Sequence, residues 1–403
     1  MPEPQTPAQV LETAGLAAQI ILENGAETYR VEDTVRRLCR SYGYPDADVL
    51  ALSTGLVLSL GIQGDHGAVI RRVRSRGINL SRINAVNDLS RRAAQGQMPL
   101  DQAAAQLRDI ARSEALPPWQ MVLMSALSAG FFTLMFGGGW LPFAVAAVCA
   151  ALTQGLTNRL GRAPFSLVLV NLLGGALCSA LALGAYFLFD LSHAALEAAL
   201  TGAIMPLLSG LMMTSAVRDA LRGDLLSGIA RGFEALLVAI MVALGIILVL
   251  QFYQPVEAGA MLTDPPWPLA ALWAGLATMC FCPLLKTPLR AVLPASLLGA
   301  AAYGLYLLLG IFGASATFAL FLASAAVTLL GDWLARRMRM IATVFLCVAL
   351  IPLVPGLGLY RTMRELLLGQ TGGAMALGLN TLFAVGAIAL GAALGSVRLF
   401  RKE

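Results

Sequence analysis

The chain has 403 residues, of which 58% are hydrophobic and only 13% are charged, and its net charge is +5. Soluble domains carry about 25% charged residues, so this composition excludes a wholly soluble protein and predicts that most of the chain lies in lipid. Residues 1–118 hold 13 arginines and 13 acidic residues, whereas 119–403 hold 15 basic and 10 acidic residues. We therefore predict a polar domain, 1–118, followed by a membrane domain whose surplus charge reflects topology and not nucleic-acid binding.

The polar domain starts without the basic and apolar regions of a signal peptide, so we expect it to stay in the cytoplasm. Helical periodicity over 25–43 precedes an apolar stretch, 47–61, that suits one or two strands, and then a GDHG hairpin turn with a further strand. Two more helices follow, with Ser81 and Asp101 as their N-caps. These elements predict a small α/β domain.

Ten apolar segments then follow, each close to the ~20 residues that a bilayer requires. They are 119–137, 140–158, 165–188, 194–216, 227–251, 267–285, 290–309, 313–332, 341–360 and 374–396. Basic residues follow the second, fourth, sixth and eighth segments and occupy the C-terminal tail, which places both termini in the cytoplasm. Arg361 and Arg364 are the exceptions, which suggests that they serve something other than topology.

One stretch of the membrane domain occurs twice, since 204–245 align with 350–391 without a gap. The alignment matches Pro206 with Pro352, Gly210 with Gly356, Arg218 with Arg364, and Asp219 with Glu365. Each half holds five segments, an odd number, so the second half starts on the opposite side of the membrane. We predict a multi-pass α-helical membrane protein with ten transmembrane helices in two inverted five-helix repeats, 119–253 and 254–403. Such repeats are typical of alternating-access transporters.

Proline and glycine interrupt both copies of the repeat, at Pro206 and Gly210 and again at Pro352, Pro355 and Gly356. Proline removes a backbone donor, and glycine permits an unwound turn. The freed backbone groups need a partner that lipid cannot supply. The pattern favours a broken helix in the middle of the membrane, with a simple kink as the alternative.

Paired charges follow about two turns later, Arg218 with Asp219 and Arg364 with Glu365. If the repeats are inverted, one pair lies on each side of the membrane, as expected of gates that open in turn. Solvated pairs at the ends of the helices would give the same pattern.

Arg231 and Glu234 are the most unusual charges, because they lie at i and i+3 on one face of an apolar helix. Arg231 could bind a carboxylate, and Glu234 a proton or an ammonium group. A static salt bridge fits the spacing equally well. Asn380 aligns with Glu234 and is still polar, and Asn171 lies deep in another segment, where an interhelical hydrogen bond is its more common role.

The sequence predicts no cofactor. Neither lysine, Lys286 or Lys402, ends a phosphate-binding Gly-x-x-x-x-Gly-Lys loop, and His66 and His193 are too far apart in the sequence to predict a metal cluster. Five of the six cysteines fall in apolar segments and are read as packing residues. A primary pump is thus disfavoured, and a carrier driven by an ion or substrate gradient remains.

The sequence GAETYRVEDTVRRLC at Gly25–Cys39 resembles the opening motif of the threonine/serine exporter family (ThrE), which includes the YjjP and YjjB pair. Residues of about 8–250 are similar to the YjjP-like part and about 268–395 to the YjjB-like part, including the sequence of Pro352–Gly356. The resemblance implies export of threonine and serine, or of succinate for the two-chain version, driven by the proton motive force. It implies no catalytic residues.

We therefore expect a non-enzymatic exporter in the bacterial inner membrane that takes a small-molecule substrate and protons as partners, with a homo-oligomer left open. A dicarboxylate exporter is the alternative within transport, because basic residues outnumber the deep carboxylates. A channel is a further alternative. From another class, the spans could anchor a sensor or a hydrolase built on Ser53, Asp65 and His66.

Overall fold

The computed structural model describes residues 6–62, 65–73, 77–113, 116–160, 167–208, 210–221, 223–251, 265–354 and 356–396. The N-terminal part contains four helices and three strands. In chain order these are α1 (Pro7–Glu23), α2 (Thr28–Ser41), β1 (Ala47–Leu52), β2 (Gly55–Ile62), β3 (Asp65–Arg72), α3 (Leu80–Ala94) and α4 (Leu100–Arg112).

The three strands form an antiparallel sheet in the order β1-β2-β3, with Val49 opposite Leu58 and Leu58 opposite Val69. Strands expose alternate residues to opposite faces, and here the face that carries Val49 and Leu58 is buried, with α1 packed against β2 and β3. The predicted N-caps, Ser81 and Asp101, are wrong, because both residues lie inside the first turn of their helices. The N-cap of α3 is Asn79, whose side chain accepts a hydrogen bond from the Arg82 N–H, and the N-cap of α4 is Pro99.

Helices make up the rest of the described chain. They are α5 (Pro118–Met135), α6 (Trp140–Leu160), α7 (Leu167–Phe189), α8 (His193–Ile204), α9 (Gly210–Leu221), α10 (Leu225–Leu250), α11 (Trp267–Phe281), α12 (Leu289–Ile311), α13 (Ala316–Met338), α14 (Ala342–Ala349), a 3-10 turn (Ile351–Leu353), α15 (Gly356–Leu367) and α16 (Thr371–Ser396). Among the described residues, seven of these helices are long and apolar enough to cross a bilayer, so the protein is a multi-pass membrane protein.

Three of the ten expected spans differ from single membrane-spanning helices. The segment 194–216 is divided between α8 and α9, each of 12 residues, and α11 has only 15 residues. The expected span 341–360 corresponds to two helical segments, 342–353 and 356–367, with a bend of 46° between them. If this bent pair is one span, the described residues hold eight candidate spans. Proline and glycine lie at both breaks, which accounts for them physically.

The two halves of the membrane part share one order of elements. Shifting α9 by 146 residues reproduces the bounds of α15, and the same shift turns the bounds of α10 into those of α16. The glycines that follow α9 and α15, Gly223 and Gly369, both have positive φ, at 92° and 77°. The sequence repeat is therefore also a repeat of secondary structure.

Equivalent helices also pack in equivalent ways. The most extensive helix contacts are those of α7 with α10 and of α13 with α16. In both pairs a glycine lets the backbones approach closely. A Cβ on Gly245 would lie 2.1 Å from the Leu172 carbonyl oxygen, and one on the aligned Gly391 would lie 2.3 Å from the Phe321 carbonyl oxygen.

Candidate functional site

A cavity of about 380 Å³ lies where the two helix breaks meet. The break between α8 and α9 contributes Met205–Leu208, and the break before α15 contributes Val354 and Gly356. Apolar side chains form most of the described wall, and the polar residues among the described lining are Gln154, Thr157, Asn171 and Glu234. A mostly apolar cavity with a few convergent polar groups, near the small end of the ~300–1,000 Å³ range, is typical of small-molecule sites.

Asn171 and Glu234 reach this cavity from two helices that pack closely together, α7 and α10. Asn171 is buried, whereas Glu234 is half-buried. Gln154 and Thr157 lie one turn apart on α6 and already hold local partners. Gln154 Nε2 donates to Asn158 Oδ1 at 2.9 Å, and Thr157 Oγ1 donates to the Thr153 carbonyl at 3.0 Å. The described lining thus combines the Glu234 carboxylate with amide and hydroxyl groups.

The starts of two helices lie at or beside the cavity. Gly356, the first residue of α15, lines the cavity, and α9 begins at Gly210, two residues after the lining residue Leu208. A helix start carries unpaired backbone N–H groups and a partial positive charge of about half an elementary charge. Such ends attract an anionic group, for example a substrate carboxylate.

Arg231 is not among the described residues that line the cavity. Its Nη1 lies 3.2 Å from Asp219 Oδ2, its Nη2 donates to the Ala26 carbonyl at 2.7 Å, and the side chains of Arg231 and Asp219 are 8% and 0% exposed. Of the expected neighbours Arg231 and Glu234, Glu234 lines the cavity, whereas Arg231 contacts Asp219 and the Ala26 carbonyl. Asp219 forms an ion pair with Arg231 across the α9–α10 hairpin, while the side chain of Arg218, its expected partner, lies outside the described residues.

In the second expected gate pair, Arg364 contacts a residue of another helix. Arg364 Nη1 lies 3.6 Å from Glu197 Oε1 of α8, and the two side chains are 34% and 57% exposed. Adjacent residues of a helix point in different directions, which explains why Arg364 turns to another helix and not to Glu365. Sequence reasoning missed Glu197, because a surface glutamate in an alanine-rich helix carries no distinctive pattern.

The remaining predicted residues are distributed as follows. Pro206 lines the cavity, Pro352 is buried in the 3-10 turn, and Asn380 is exposed on α16 and absent from the cavity lining. Pro355 and the side chain of Arg218 lie outside the described residues. The side chains of Asp65 and His66 also lie outside them, while Ser53 is buried. Among the described residues, no group of three or more His, Cys, Asp or Glu side chains is placed to hold a metal ion.

The N-terminal part supplies a piece of the cavity wall that the sequence did not indicate. Gly77 and Ile78, just before α3, line the cavity together with Leu285, which lies in the turn between α11 and α12. The Leu80 N–H donates to the Leu285 carbonyl at 3.1 Å, and the Ser81 hydroxyl donates to the Lys286 carbonyl at 2.7 Å. The short, apolar segment around Ile78 has no motif that could have predicted this position.

Comparison with known proteins adds the family to this geometry. The model of the family described as "Putative threonine/serine exporter" matches residues 12–253, and that described as "Threonine/Serine exporter, ThrE" matches 270–397. The chain belongs to the threonine/serine exporter family. Membership confirms the resemblance carried by Gly25–Cys39, and it classes this family member as a transporter and not as an enzyme. The alternative of a membrane-anchored hydrolase is thereby excluded.

Relatives within the exporter family match most of the chain. A probable threonine/serine exporter of Mycobacterium tuberculosis is 28% identical, over 90% of this chain and 71% of its own. The threonine/serine exporter of Corynebacterium glutamicum is 26% identical, over 90% of this chain and 77% of its own. The probable succinate transporter subunit YjjP of Klebsiella aerogenes is 23% identical, over 59% of this chain and 91% of its own. No solved structure matches the chain.

Proposed function

We propose that this protein is a secondary active exporter of the bacterial inner membrane that carries L-threonine and L-serine, driven by the proton motive force. The single observation that carries the proposal is the cavity between the two helix breaks, in a chain whose family and full-length relatives are threonine/serine exporters. A carrier needs a small central site with polar groups, and broken helices in a membrane protein commonly form one.

The chemistry of the cavity suits a zwitterion. Glu234 is the natural partner for the substrate ammonium group or for the coupled proton. The starts of α9 and α15 can stabilise the carboxylate. Asn171 can hydrogen-bond the substrate hydroxyl or carboxylate. Arg231, which the sequence offered as the carboxylate ligand, is engaged with Asp219 and Ala26 and is assigned a structural part in this scheme.

The direction of the broken segments supports inverted repeats and alternating access. The first segment runs from Glu197 through the cavity to Asp219, which meets the N-terminal part through Arg231 and Ala26. The second starts beside α3, where the Ile341 N–H donates to Asn84 Oδ1 at 3.2 Å, and it ends near Arg364 beside Glu197. The two segments thus run in opposite directions. With cytoplasmic termini, as the positive loops indicate, one ion pair lies toward each side of the membrane.

A dicarboxylate such as succinate is the second candidate, favoured by the similarity to a YjjP succinate transporter subunit. Two carboxylates call for basic side chains at the site. The described residues that line the cavity include one glutamate and no lysine or arginine. This charge balance favours the amino acids.

Counterflow in proteoliposomes tests the substrate. Vesicles preloaded with unlabelled threonine, serine or succinate are given the labelled compound outside. We expect trans-stimulated uptake with threonine and serine. Stimulation by succinate alone would contradict the amino-acid proposal, and linear, non-saturating flux in its place would indicate a channel.

Glu234→Gln tests the proton coupling. The amide keeps the shape of the side chain but cannot release a proton, so uptake driven by a pH gradient should fall to background, while Asp109→Asn, an exposed carboxylate of α4, should behave as the parent protein does. Parent-like pH-driven uptake by Glu234→Gln would remove Glu234 from the mechanism.

A further inference from the structure

The motif at Gly25–Cys39 identified the family, yet the proposed function assigns it no task. Its first residues form the turn between α1 and α2, and this turn lies against the α9–α10 hairpin of the first repeat. The Ala26 carbonyl accepts the hydrogen bond from Arg231, and the Thr28 hydroxyl donates to Asp224, the N-cap residue of α10. Two polar contacts thus join the motif to the membrane part.

The same turn is tied to the wall of the cavity. The Gly77 N–H donates to the Glu23 carbonyl at 2.9 Å, and the Asn79 N–H donates to the Asn24 carbonyl at 3.1 Å. Gly25 has φ of 91°, and a Cβ there would lie 3.1 Å from the Gly77 carbonyl oxygen. Ile78, held between these two hydrogen bonds, lines the cavity. A continuous path therefore leads from the Asp219–Arg231 ion pair through the turn to the cavity.

The ion pairs at the two ends of the broken segments differ in burial. Toward the N-terminal part, the ion pair is buried and also bonds the Ala26 carbonyl. Toward the far end, Arg364 and Glu197 are 3.6 Å apart and partly exposed. The second repeat has Leu377 where the first has Arg231, so it cannot form the same contact. The ion pair beside the N-terminal part is therefore the shorter and the more buried of the two.

We propose that the N-terminal part is a movable wall of the substrate cavity, and that the turn 24–28 latches this wall to the α9–α10 hairpin through Arg231. Opening the cavity toward the N-terminal side requires Gly77 and Ile78 to leave, so the hydrogen bond to Ala26 breaks in each cycle. Arg231 then acts as a positioning residue and not as a substrate ligand. This inference deepens the proposed function and rests on it for its place in a transport cycle.

Cross-linking tests the movement directly. Ser81→Cys with Lys286→Cys joins α3 to the α11–α12 turn where the two are already in hydrogen-bond contact. The control pair, Asp48→Cys with Ser59→Cys, joins two residues that lie directly opposite each other on β1 and β2 within the N-terminal part. Both pairs are placed in a chain whose six native cysteines are replaced. The readout is the rate at which a cavity cysteine, Thr157→Cys, reacts with a membrane-impermeant maleimide added on the N-terminal side.

We expect the Ser81–Lys286 cross-link to slow this labelling at least about tenfold, because it blocks the local opening. Reduction of the cross-link should restore the original labelling rate. The control pair should change nothing. Equal labelling of the cross-linked and reduced protein would overturn the movable wall. The readout needs no substrate, so a failure to transport threonine or serine would sink the proposed function while leaving this result to stand on its own.

A second variant tests the latch. Removing only one charge of the Asp219–Arg231 pair would leave the other charge buried without its partner and could unfold the protein. The double variant Asp219→Asn with Arg231→Leu removes both charges together with the donor to Ala26. Thr157→Cys should then label several-fold faster in protein that remains monodisperse. Labelling at the parental rate in monodisperse protein would overturn the role given to Arg231. If the double variant does not fold, the cross-linking experiment still tests whether the wall moves.

Discussion

At the scale of single residues, the structure redistributes the charges that the sequence picked out. Arg231 and Glu234 share a helix face by spacing, yet one meets Asp219 and the other meets the cavity. The sequence could predict that these charges are special, because a charge inside an apolar helix is costly. It could not predict their partners, because Ala26 and Asp219 are brought to Arg231 only by the docking of the N-terminal part and by the α9–α10 hairpin.

Cys39 offers a prediction about a single thiol. Burial raises the pKa of the Cys39 thiol to about 12, so at pH 8 this thiol stays protonated and unreactive. In the folded protein we expect Cys39 to react with iodoacetamide at least about a hundredfold more slowly than after denaturation, where cysteine titrates near pH 8.5. Mass spectrometry of the peptide that contains Cys39 measures both rates, and Ser113→Cys, an exposed position, serves as the reactive control.

The raised pKa of the Cys39 thiol also makes the stability of the fold depend on pH. A thiol whose pKa is higher in the folded state than in the unfolded state favours folding below the unfolded pKa. That contribution is lost as the pH rises from about 9 toward about 12, because the unfolded thiol ionises first. Similar labelling of native and denatured protein would show that Cys39 is not in the buried position described.

At the scale of elements, the repeat was the most predictable feature. Seven of the ten expected spans are single long helices whose ends lie within about six residues of the predicted ones, because about 20 apolar residues suit only a helix in lipid. The breaks at Pro206 and Pro352 were predictable for the same physical reason that proline interrupts helices. The sequence could not predict the shortness of α11 or the pairing of Arg364 with Glu197, since both depend on how separate helices pack.

Helix packing gives a matched test of the repeat. Gly245→Ala and Gly391→Ala each place a Cβ against the backbone of the partner helix, at 2.1 Å and 2.3 Å from a carbonyl oxygen. We expect each to destabilise the protein by about 1–3 kcal/mol, as overpacking does, and so to lower the melting temperature of the purified protein.

Two other helix glycines are the controls. No atom beyond the helix's own nearby backbone lies within 4 Å of the Cβ that alanine would add at Gly184 or Gly386. Gly184→Ala and Gly386→Ala should therefore be neutral, or stabilise by up to about 1 kcal/mol through helix propensity. Four equal melting temperatures would mean that α7 and α10, and α13 and α16, do not approach as closely as described.

At the scale of the whole molecule, the two halves meet through a few helix pairs and through the N-terminal part. Helix α5 packs on α11, α10 packs on α15, and α9 packs on α16. Helix α3 adds hydrogen bonds from the first half to Leu285, Lys286 and Ile341 of the second. The two family models also divide the chain between 253 and 270. These interfaces, and not the covalent link, should hold the halves together.

Cutting the link tests this view of the assembly. We expect residues 1–253 and 254–403, expressed together as separate chains, to copurify through a tag on the second and to show the counterflow of the intact protein. Apolar helix faces and small-residue contacts supply the association, as in other membrane helix pairs. Ser81→Ala with Asn84→Ala in the first piece should lower the yield of the complex, because the hydroxyl bond to Lys286 and the amide bond to Ile341 are lost. Pieces that insert into the membrane but never copurify would mean that the covalent link, and not the packing of α3 and the helix pairs, determines how the halves assemble.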